Sequence, residues 1–90
     1  MSNYFRCKWI TDNENYPIQI ISEIDDDRYE TRKIEVYSSG NLGYAYDDVE
    51  YNGTALGDVP VPEFSKINSD PQFELQEISK EEFEILWSNL

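Results

Sequence analysis

The chain has 90 residues, a length typical of one small domain near the lower limit for folding without disulfides or metals. Apolar residues make up 39% of it and aromatic residues 14%, which is enough for a small aromatic-rich core and too much for a disordered chain. Nineteen acidic residues against seven basic ones leave a net charge of −12, which opposes direct binding to nucleic-acid phosphates or anionic membranes. We therefore expect a single domain over residues 1–90, with neither nucleic acid nor membrane as its partner.

The residue types that carry most catalysis and metal binding are scarce. The absence of histidine excludes His-based triads and His-containing zinc sites, and a single cysteine excludes an internal disulfide or a thiolate cluster. A lone Cys without a secretory leader favours a reducing compartment, so we expect a cytoplasmic protein. No Gly-rich phosphate loop or other catalytic constellation is present, so we expect no enzyme activity, no cofactor and no metal.

The first half of the chain predicts an antiparallel β-meander. In the first segment Phe5, Cys7 and Trp9 alternate with polar residues, the period of a half-buried strand. Ile21 breaks the alternation of the second segment, which indicates burial on both faces or a β-bulge. The expected strands are residues 4–10, 18–24, 28–37 and 42–46, with a further short segment at 49–51. Polar turn residues separate the second, third and fourth of them.

The C-terminal third changes period. Ser79 and Glu82 form a capping-box pattern, and Ile78 and Phe83 flank it as a hydrophobic staple, which predicts the start of a helix. A shorter helical turn is expected near residues 62–67, where a proline opens an i, i+3 apolar pair. We therefore expect an α+β fold, with an antiparallel β-meander of about four or five strands and one or two C-terminal helices packed on one face.

An irregular acidic segment follows the meander at residues 47–61. Segments of this length without regular structure are uncommon in small domains and are often functional. The segment is either a solvated loop or a docking surface for a basic protein such as a nuclease, whose association electrostatic steering accelerates. Its four acids, with no base among them, are Asp47, Asp48, Glu50 and Asp58.

A second candidate site is the charged hairpin made by the second and third strands. Its alternating charges either pair across the strands, each pair contributing about 0.2–1 kcal/mol to stability, or form a polar patch that binds a small molecule or nucleotide. The acidic turn at residues 25–27 lacks the spacing of a calcium loop, so we expect no cation there. Together with an aromatic neighbour, the residues of the candidate patch are Trp9, Glu23, Arg28, Tyr29, Glu30, Arg32 and Lys33.

Short segments spread over residues 4–87 carry a family resemblance. They include Lys8-Trp9-Ile10, Ser22-Glu23-Ile24-Asp25, Arg28-Tyr29-Glu30, Arg32-Lys33-Ile34-Glu35, Gly43-Tyr44-Ala45 and Ile78-Ser79-Lys80-Glu81-Glu82-Phe83-Glu84. In these segments the chain resembles a bacterial family of small acidic single-domain proteins catalogued as a domain of unknown function. The resemblance implies no activity and no catalytic residue.

Charge, size and the acidic segment favour a small acidic cytoplasmic binding protein of the immunity or inhibitor type. Its partner would be a basic protein such as a toxin nuclease, held by the four acids of residues 47–61. Two alternatives stay open at this point. One is a small-molecule or nucleotide-binding domain that uses the charged hairpin, and the other is a phage-borne acidic mimic of nucleic acid.

Overall fold

Six strands and two short helices make up the chain in a computed structural model that describes residues 1–90. In chain order they are β1 (Asn3–Trp9), β2 (Gln19–Ile24), β3 (Glu30–Val36), β4 (Leu42–Tyr46), β5 (Val49–Tyr51), α1 (Phe64–Asn68), β6 (Phe73–Ile78) and α2 (Lys80–Ser88). Neither helix is long and apolar enough to cross a membrane.

All six strands join one antiparallel sheet in the order β5-β4-β3-β2-β1-β6. Strands β1 to β5 form a meander of consecutive hairpins, and β6 pairs along the other edge of β1. The predicted α+β fold with an antiparallel meander is confirmed. The sheet has one strand more than expected because residues 73–78 hydrogen-bond to β1.

The α2 face is the side of the sheet that α2 covers. Phe83 of α2 is fully buried there on Tyr4, Ile21 and Ile34. Burying a side chain of this size stabilises the fold by about 1.5–3 kcal/mol. The helix begins as predicted, because the Ser79 hydroxyl accepts a hydrogen bond from the backbone N–H of Glu82 at 3.1 Å.

The opposite side of the sheet, here called the α1 face, carries a second apolar cluster. Phe5, Cys7 and Ile24 are buried there, and Phe64 and Ile67 of α1 pack against them. The sequence predicts that the helices pack on one face of the sheet. However, β1 and β2 carry apolar residues on both sides, so both faces have to be covered. α2 therefore covers one face and α1 the other.

Burial on both faces explains the irregular second strand, and the β-bulge lies in the strand beside it. Ile21 lies in the cluster under α2 and Ile24 in the cluster under α1, so β2 is buried on both faces. The pairing of β2 with β3 also shifts register between Glu23 and Ile24, which inserts Thr31 as an extra residue in β3.

The segment after β5 crosses the α1 face. Thr54 is fully buried and donates a hydrogen bond of 2.7 Å to the Glu35 carboxylate. The Thr54 side chain occupies the space that a Cβ at residue 43 would need, so Gly43 of β4 has to be a glycine for the segment to lie this close.

Candidate functional site

The structure separates the residues of the predicted charged-hairpin patch. Glu23 and Arg32 are paired in register and face α2. The register shift turns Glu30 to the same side as Lys33, and this second pair faces α1. The hairpin therefore holds two independent charge networks on opposite faces of the sheet.

On the α2 face, Arg32 is surrounded by acceptors and aromatic rings. Its guanidinium donates two hydrogen bonds to Glu23, at 2.9 and 2.7 Å, and one to Glu84 of α2 at 2.7 Å. The guanidinium carbon lies 4.8 Å from the Phe83 ring centroid and 5.2 Å from that of Trp87. The bidentate pair joins β3 to β2, and the bond to Glu84 attaches α2 to the sheet. Together these bonds use three of the five N–H donors of Arg32.

Glu23 makes this network dependent on pH. Hydrogen bonds from Arg32, and then from Thr31, lower the pKa of Glu23 from its ordinary 4.5 to about 2, against the opposing effect of burial. A carboxyl whose pKa is lower in the folded state stabilises that state above its unfolded pKa, and the stabilisation is lost as the pH falls toward the folded value.

We therefore expect the wild-type protein to lose more stability than the variant Glu23→Gln as the pH falls from 4.5 to 2. The expected difference is about 1–3 kcal/mol after allowance for solvent screening. Urea unfolding followed by tryptophan fluorescence at several pH values measures it. Equal losses for both proteins over this pH range would contradict the assignment.

On the α1 face, the ion pair of Glu30 and Lys33 ties the crossing segment to the sheet. The ammonium lies 3.1 Å from the carboxylate, and these side chains are only 15% and 8% exposed. The carboxylate also accepts hydrogen bonds from the Ser22 hydroxyl at 3.0 Å and from the backbone N–H of Gly57 at 2.7 Å. Lys33 donates a further bond to the Ala55 carbonyl at 3.3 Å. All these partners are internal, so the network is structural.

Arg28 connects the acidic turn to the entrance of α1. Its side chain donates hydrogen bonds of 2.7 Å to the carbonyls of Val61 and Pro62, and its guanidinium lies 4.9 Å from the Phe64 ring centroid. Its φ of 70° is in the left-handed region, which costs a non-glycine residue roughly 1–2 kcal/mol. These tertiary contacts hold the backbone in that conformation.

The two aromatic members of the predicted patch lie apart from each other. Tyr29 follows the acidic turn and is 42% exposed. Trp9 is the last residue of β1 and lies at the end of the sheet opposite that turn. Its ring stacks on Tyr16 with centroids 4.8 Å apart and contacts Phe73 at 5.5 Å. The structure therefore assembles no single ligand site from the seven predicted residues.

The acids of residues 47–61 meet other acids at one end of the sheet. Alternate turns of a meander lie at the same end, so the β4–β5 turn is on the side of the β2–β3 turn at residues 25–29. The backbone N–H of Gly57 donates to the carboxylate of Glu30, the first residue of β3. This bond brings Asp58, which follows Gly57, to the same end of the sheet. We call this surface the acidic end, and its exposed members are Asp26, Asp27, Asp47, Asp48 and Asp58.

The remaining acids near this surface have different environments. Asp25 accepts hydrogen bonds from the backbone N–H groups of Asp27 and Tyr29, so its carboxylate shapes the turn. Glu50 lies beside the acidic end on the exposed edge strand β5, opposite Ala45. Sequence reasoning kept the aspartates of residues 25–27 apart from the later acids, although the even number of strands between the two turns already indicated a shared end.

An aromatic surface borders the acidic end. Tyr44 stacks on Tyr51 with ring centroids 4.8 Å apart, and Tyr46 lies edge-on to Trp87 at 5.6 Å. We call Tyr44, Tyr46 and Tyr51 the tyrosine hairpin. Tyr51 is 53% exposed, and Tyr46 directly precedes Asp47 in the turn. Tyrosine and tryptophan are enriched at protein interfaces because they offer large contact areas with few rotatable bonds.

Comparison with known proteins gives one match. The sequence model of a domain of unknown function, DUF6881, matches residues 3–90. The chain belongs to the DUF6881 family. Searches of curated proteins and of solved structures find no match. The function of this DUF6881 protein is therefore argued from its own geometry.

That geometry divides the charges of the DUF6881 chain into two groups. The bases of the charged hairpin are bound by internal partners, as described above. Most carboxylates of the acidic end have no cationic partner, and the exception is Asp26, which pairs with the N-terminal amine at 2.6 Å. No group of three or more His, Cys, Asp or Glu side chains is arranged to hold a metal ion. The unpaired carboxylates of the acidic end can therefore attract a cationic group by electrostatics.

Proposed function

We propose that this DUF6881 protein is a bacterial, cytoplasmic binding protein of the immunity or inhibitor type that docks a basic protein through the acidic end. The observation that carries the proposal is the convergence of two turns and Asp58 at one end of the sheet. No free base lies among these residues, because Arg28 is held by backbone carbonyls. Binding rather than catalysis is the role that such a surface fits.

Electrostatic attraction raises the rate of association as well as the affinity. Exposed like charges within about 8–10 Å of one another add their fields at physiological salt. A basic partner is steered toward such a surface and relieves the repulsion between its carboxylates. The excess of acids beyond residue 33, where Lys66 and Lys80 are the only bases, adds to the negative field that a basic partner meets.

The tyrosine hairpin supplies the contact area that charge alone does not. Interface energy concentrates in a few aromatic residues, whereas rim charges mainly set the rate and the choice of partner. Tyr46 adjoins the β4–β5 turn, and Tyr51 lies at the other end of the short strand β5. Both side chains are exposed, so one partner can contact both surfaces. A nucleic-acid mimic would use the same acids, but nucleic acid would then compete with the chain for the partner.

The proposal is tested with a variant that keeps the fold. Asp47→Asn, Asp48→Asn, Glu50→Gln and Asp58→Asn together remove four charges from groups that make no side-chain hydrogen bond or ion pair. Asn also tolerates the left-handed backbone of residue 47, whose φ is 48°. Proteins captured from the native host by the wild-type chain are identified, purified and titrated. We expect the dissociation constant of the quadruple variant to rise about tenfold or more.

A matched control separates the acidic end from net charge. It removes the same number of exposed, unpaired charges elsewhere, by Asp12→Asn, Glu14→Gln, Glu74→Gln and Glu77→Gln. The control is expected to bind the partner within about twofold of wild type. A control as weak as the test variant, or a test variant as tight as wild type, would refute the proposal.

A further inference from the structure

The two edges of the sheet differ in how their outward backbone groups are satisfied. At the β6 edge, the Asn68 side chain accepts a hydrogen bond from the backbone N–H of Leu75 at 2.6 Å and donates one to the Leu75 carbonyl at 3.1 Å. This amide takes the place that a neighbouring strand would occupy, and α1 packs beside it. The β6 edge is therefore blocked at its centre against pairing with another chain.

The β5 edge has no such cover. A two-residue turn joins β4 to β5, so the peptide groups of Tyr46 and Val49 bond each other and those of Glu50 point away from the sheet. β5 pairs with β4 alone, and no turn, loop or side chain bonds the backbone of Glu50. All three residues of β5 are exposed. The strand therefore offers a free N–H and a free carbonyl to a further strand.

The side chains of β5 indicate which strand fits beside it. Glu50 is exposed and takes part in no ion pair, and opposite charges on facing residues of adjacent strands stabilise their pairing. A second copy related by a two-fold axis would instead place its own Glu50 opposite, where like charges repel. Val49 and Tyr51 lie on the other face of β5 and offer apolar contact. The fitting strand is therefore basic and belongs to another protein.

We propose that an extended basic segment of the partner adds to the sheet as a further strand beside β5. A lysine or arginine of that segment lies opposite Glu50, and the residues on either side of it contact Val49 and Tyr51. Asp47 and Asp48 directly precede β5 and extend the negative charge along this edge. The strand addition rests on the proposed docking of a basic protein and names the element that the partner contacts.

The test is a ¹H–¹⁵N NMR titration of the full chain with a short peptide of alternating lysine and valine. We expect saturable shifts centred on the Glu50 amide, which moves downfield as it gains a hydrogen bond, and a dissociation constant of about 0.1–1 mM. The matched probe is the same peptide N-methylated at every lysine, which keeps the charges and removes the donors that face β5. It is expected to bind about fivefold more weakly or worse.

Two substitutions at one position separate strand pairing from charge. Glu50→Gln removes the charge alone, whereas Glu50→Pro also removes the outward N–H. An edge strand accommodates proline at such a position, because this N–H makes no bond to β4. We expect Glu50→Pro to bind the peptide about fivefold more weakly than Glu50→Gln, as followed at the Tyr51 amide. The N-methylated peptide keeps the test decisive if Glu50→Pro fails to fold.

Strand addition is overturned by equal affinity for the two peptides, by equal binding to the two folded variants, or by no saturable shift. If the variant neutralised at all four acids still binds the native partner more weakly, such a result leaves the docking proposal in place. The two proposals can therefore fail separately. Shifts at Glu50 that grow with protein concentration in the absence of peptide would identify a second copy as the occupant and would also overturn strand addition by a basic partner.

Discussion

Replacing Arg32 with methionine is expected to lower the free energy of unfolding by about 2–4 kcal/mol. Glu23 is then left with a side chain only 13% exposed and without its cation, and Glu84 loses its link to the sheet. The stacking of the guanidinium on Phe83 and Trp87 disappears too. Methionine fills most of the space, so the loss reports on charge rather than on a cavity. Urea unfolding at pH 7 measures it.

The control for Arg32 is the same substitution at Arg6. Arg6 pairs with Glu82 at 3.1 Å, but both side chains are more than one-third exposed, and its Nε is buried without a partner. Arg6→Met is therefore expected to cost less than about 1 kcal/mol. Adding Glu23→Gln to Arg32→Met is expected to recover part of the lost stability, because the stranded charge is removed. Equal costs for Arg6→Met and Arg32→Met would contradict the structural role of the Glu23–Arg32 pair.

Lys33→Met is the second substitution for which we expect a large effect, about 2–4 kcal/mol. Glu30 keeps its hydrogen bonds from Ser22 and Gly57 but loses the only cation beside a carboxylate that is 8% exposed. The segment at residues 54–57 also loses the bond to its Ala55 carbonyl. Thermal and urea unfolding measure the loss, and hydrogen exchange at Gly57 is expected to accelerate with it.

Lys8→Met is the matched control, because Lys8 is exposed and makes no ion pair. We expect it to change stability by less than about 0.5 kcal/mol. The double variant Glu30→Gln with Lys33→Met is expected to be more stable than Lys33→Met alone, since the buried charge is removed. The amide oxygen can still accept from the Gly57 N–H, and the amide NH2 can donate to the Ser22 hydroxyl. A Lys33→Met protein as stable as Lys8→Met would show that the ion pair does not hold the segment.

The features that could be predicted from the sequence are those set by neighbouring residues. The start of α2 follows from Ser79 and from the apolar residues on either side of it, and both contacts are present. The hairpins of β2 to β4 follow from polar turn residues between alternating segments. In each case the residues that decide the structure lie within a few positions of one another, so no tertiary information is needed.

The features that could not be predicted depend on distant pairing. β6 adds to β1, which begins 70 residues earlier in the chain, and nothing in either segment specifies the partner. The inserted Thr31 moves Glu30 to the same face as Lys33, whereas strict alternation puts them on opposite faces. Arg28 directly follows three aspartates in the sequence, but its side chain binds the carbonyls of Val61 and Pro62. One bulge and one turn thus decide which charges are internal.

The charged hairpin and the acidic end are therefore proposed to have different roles. The hairpin charges are satisfied inside the protein, so their replacement is expected to change stability first. The exposed aspartates are unsupported by cations, so their replacement is expected to leave stability within about 1 kcal/mol and to change binding. The two sets of variants should therefore respond in opposite ways in unfolding and binding experiments.

The association rate constant of the captured partner, measured against salt, tests the role of the acidic end most directly. For the wild-type chain and the control with Asp12, Glu14, Glu74 and Glu77 neutralised, we expect a fall of about tenfold between 50 and 500 mM salt. For the variant neutralised at Asp47, Asp48, Glu50 and Asp58, we expect a slow rate at low salt and less than about a threefold change. A test variant with the wild-type rate and the wild-type salt dependence would contradict docking through the acidic end.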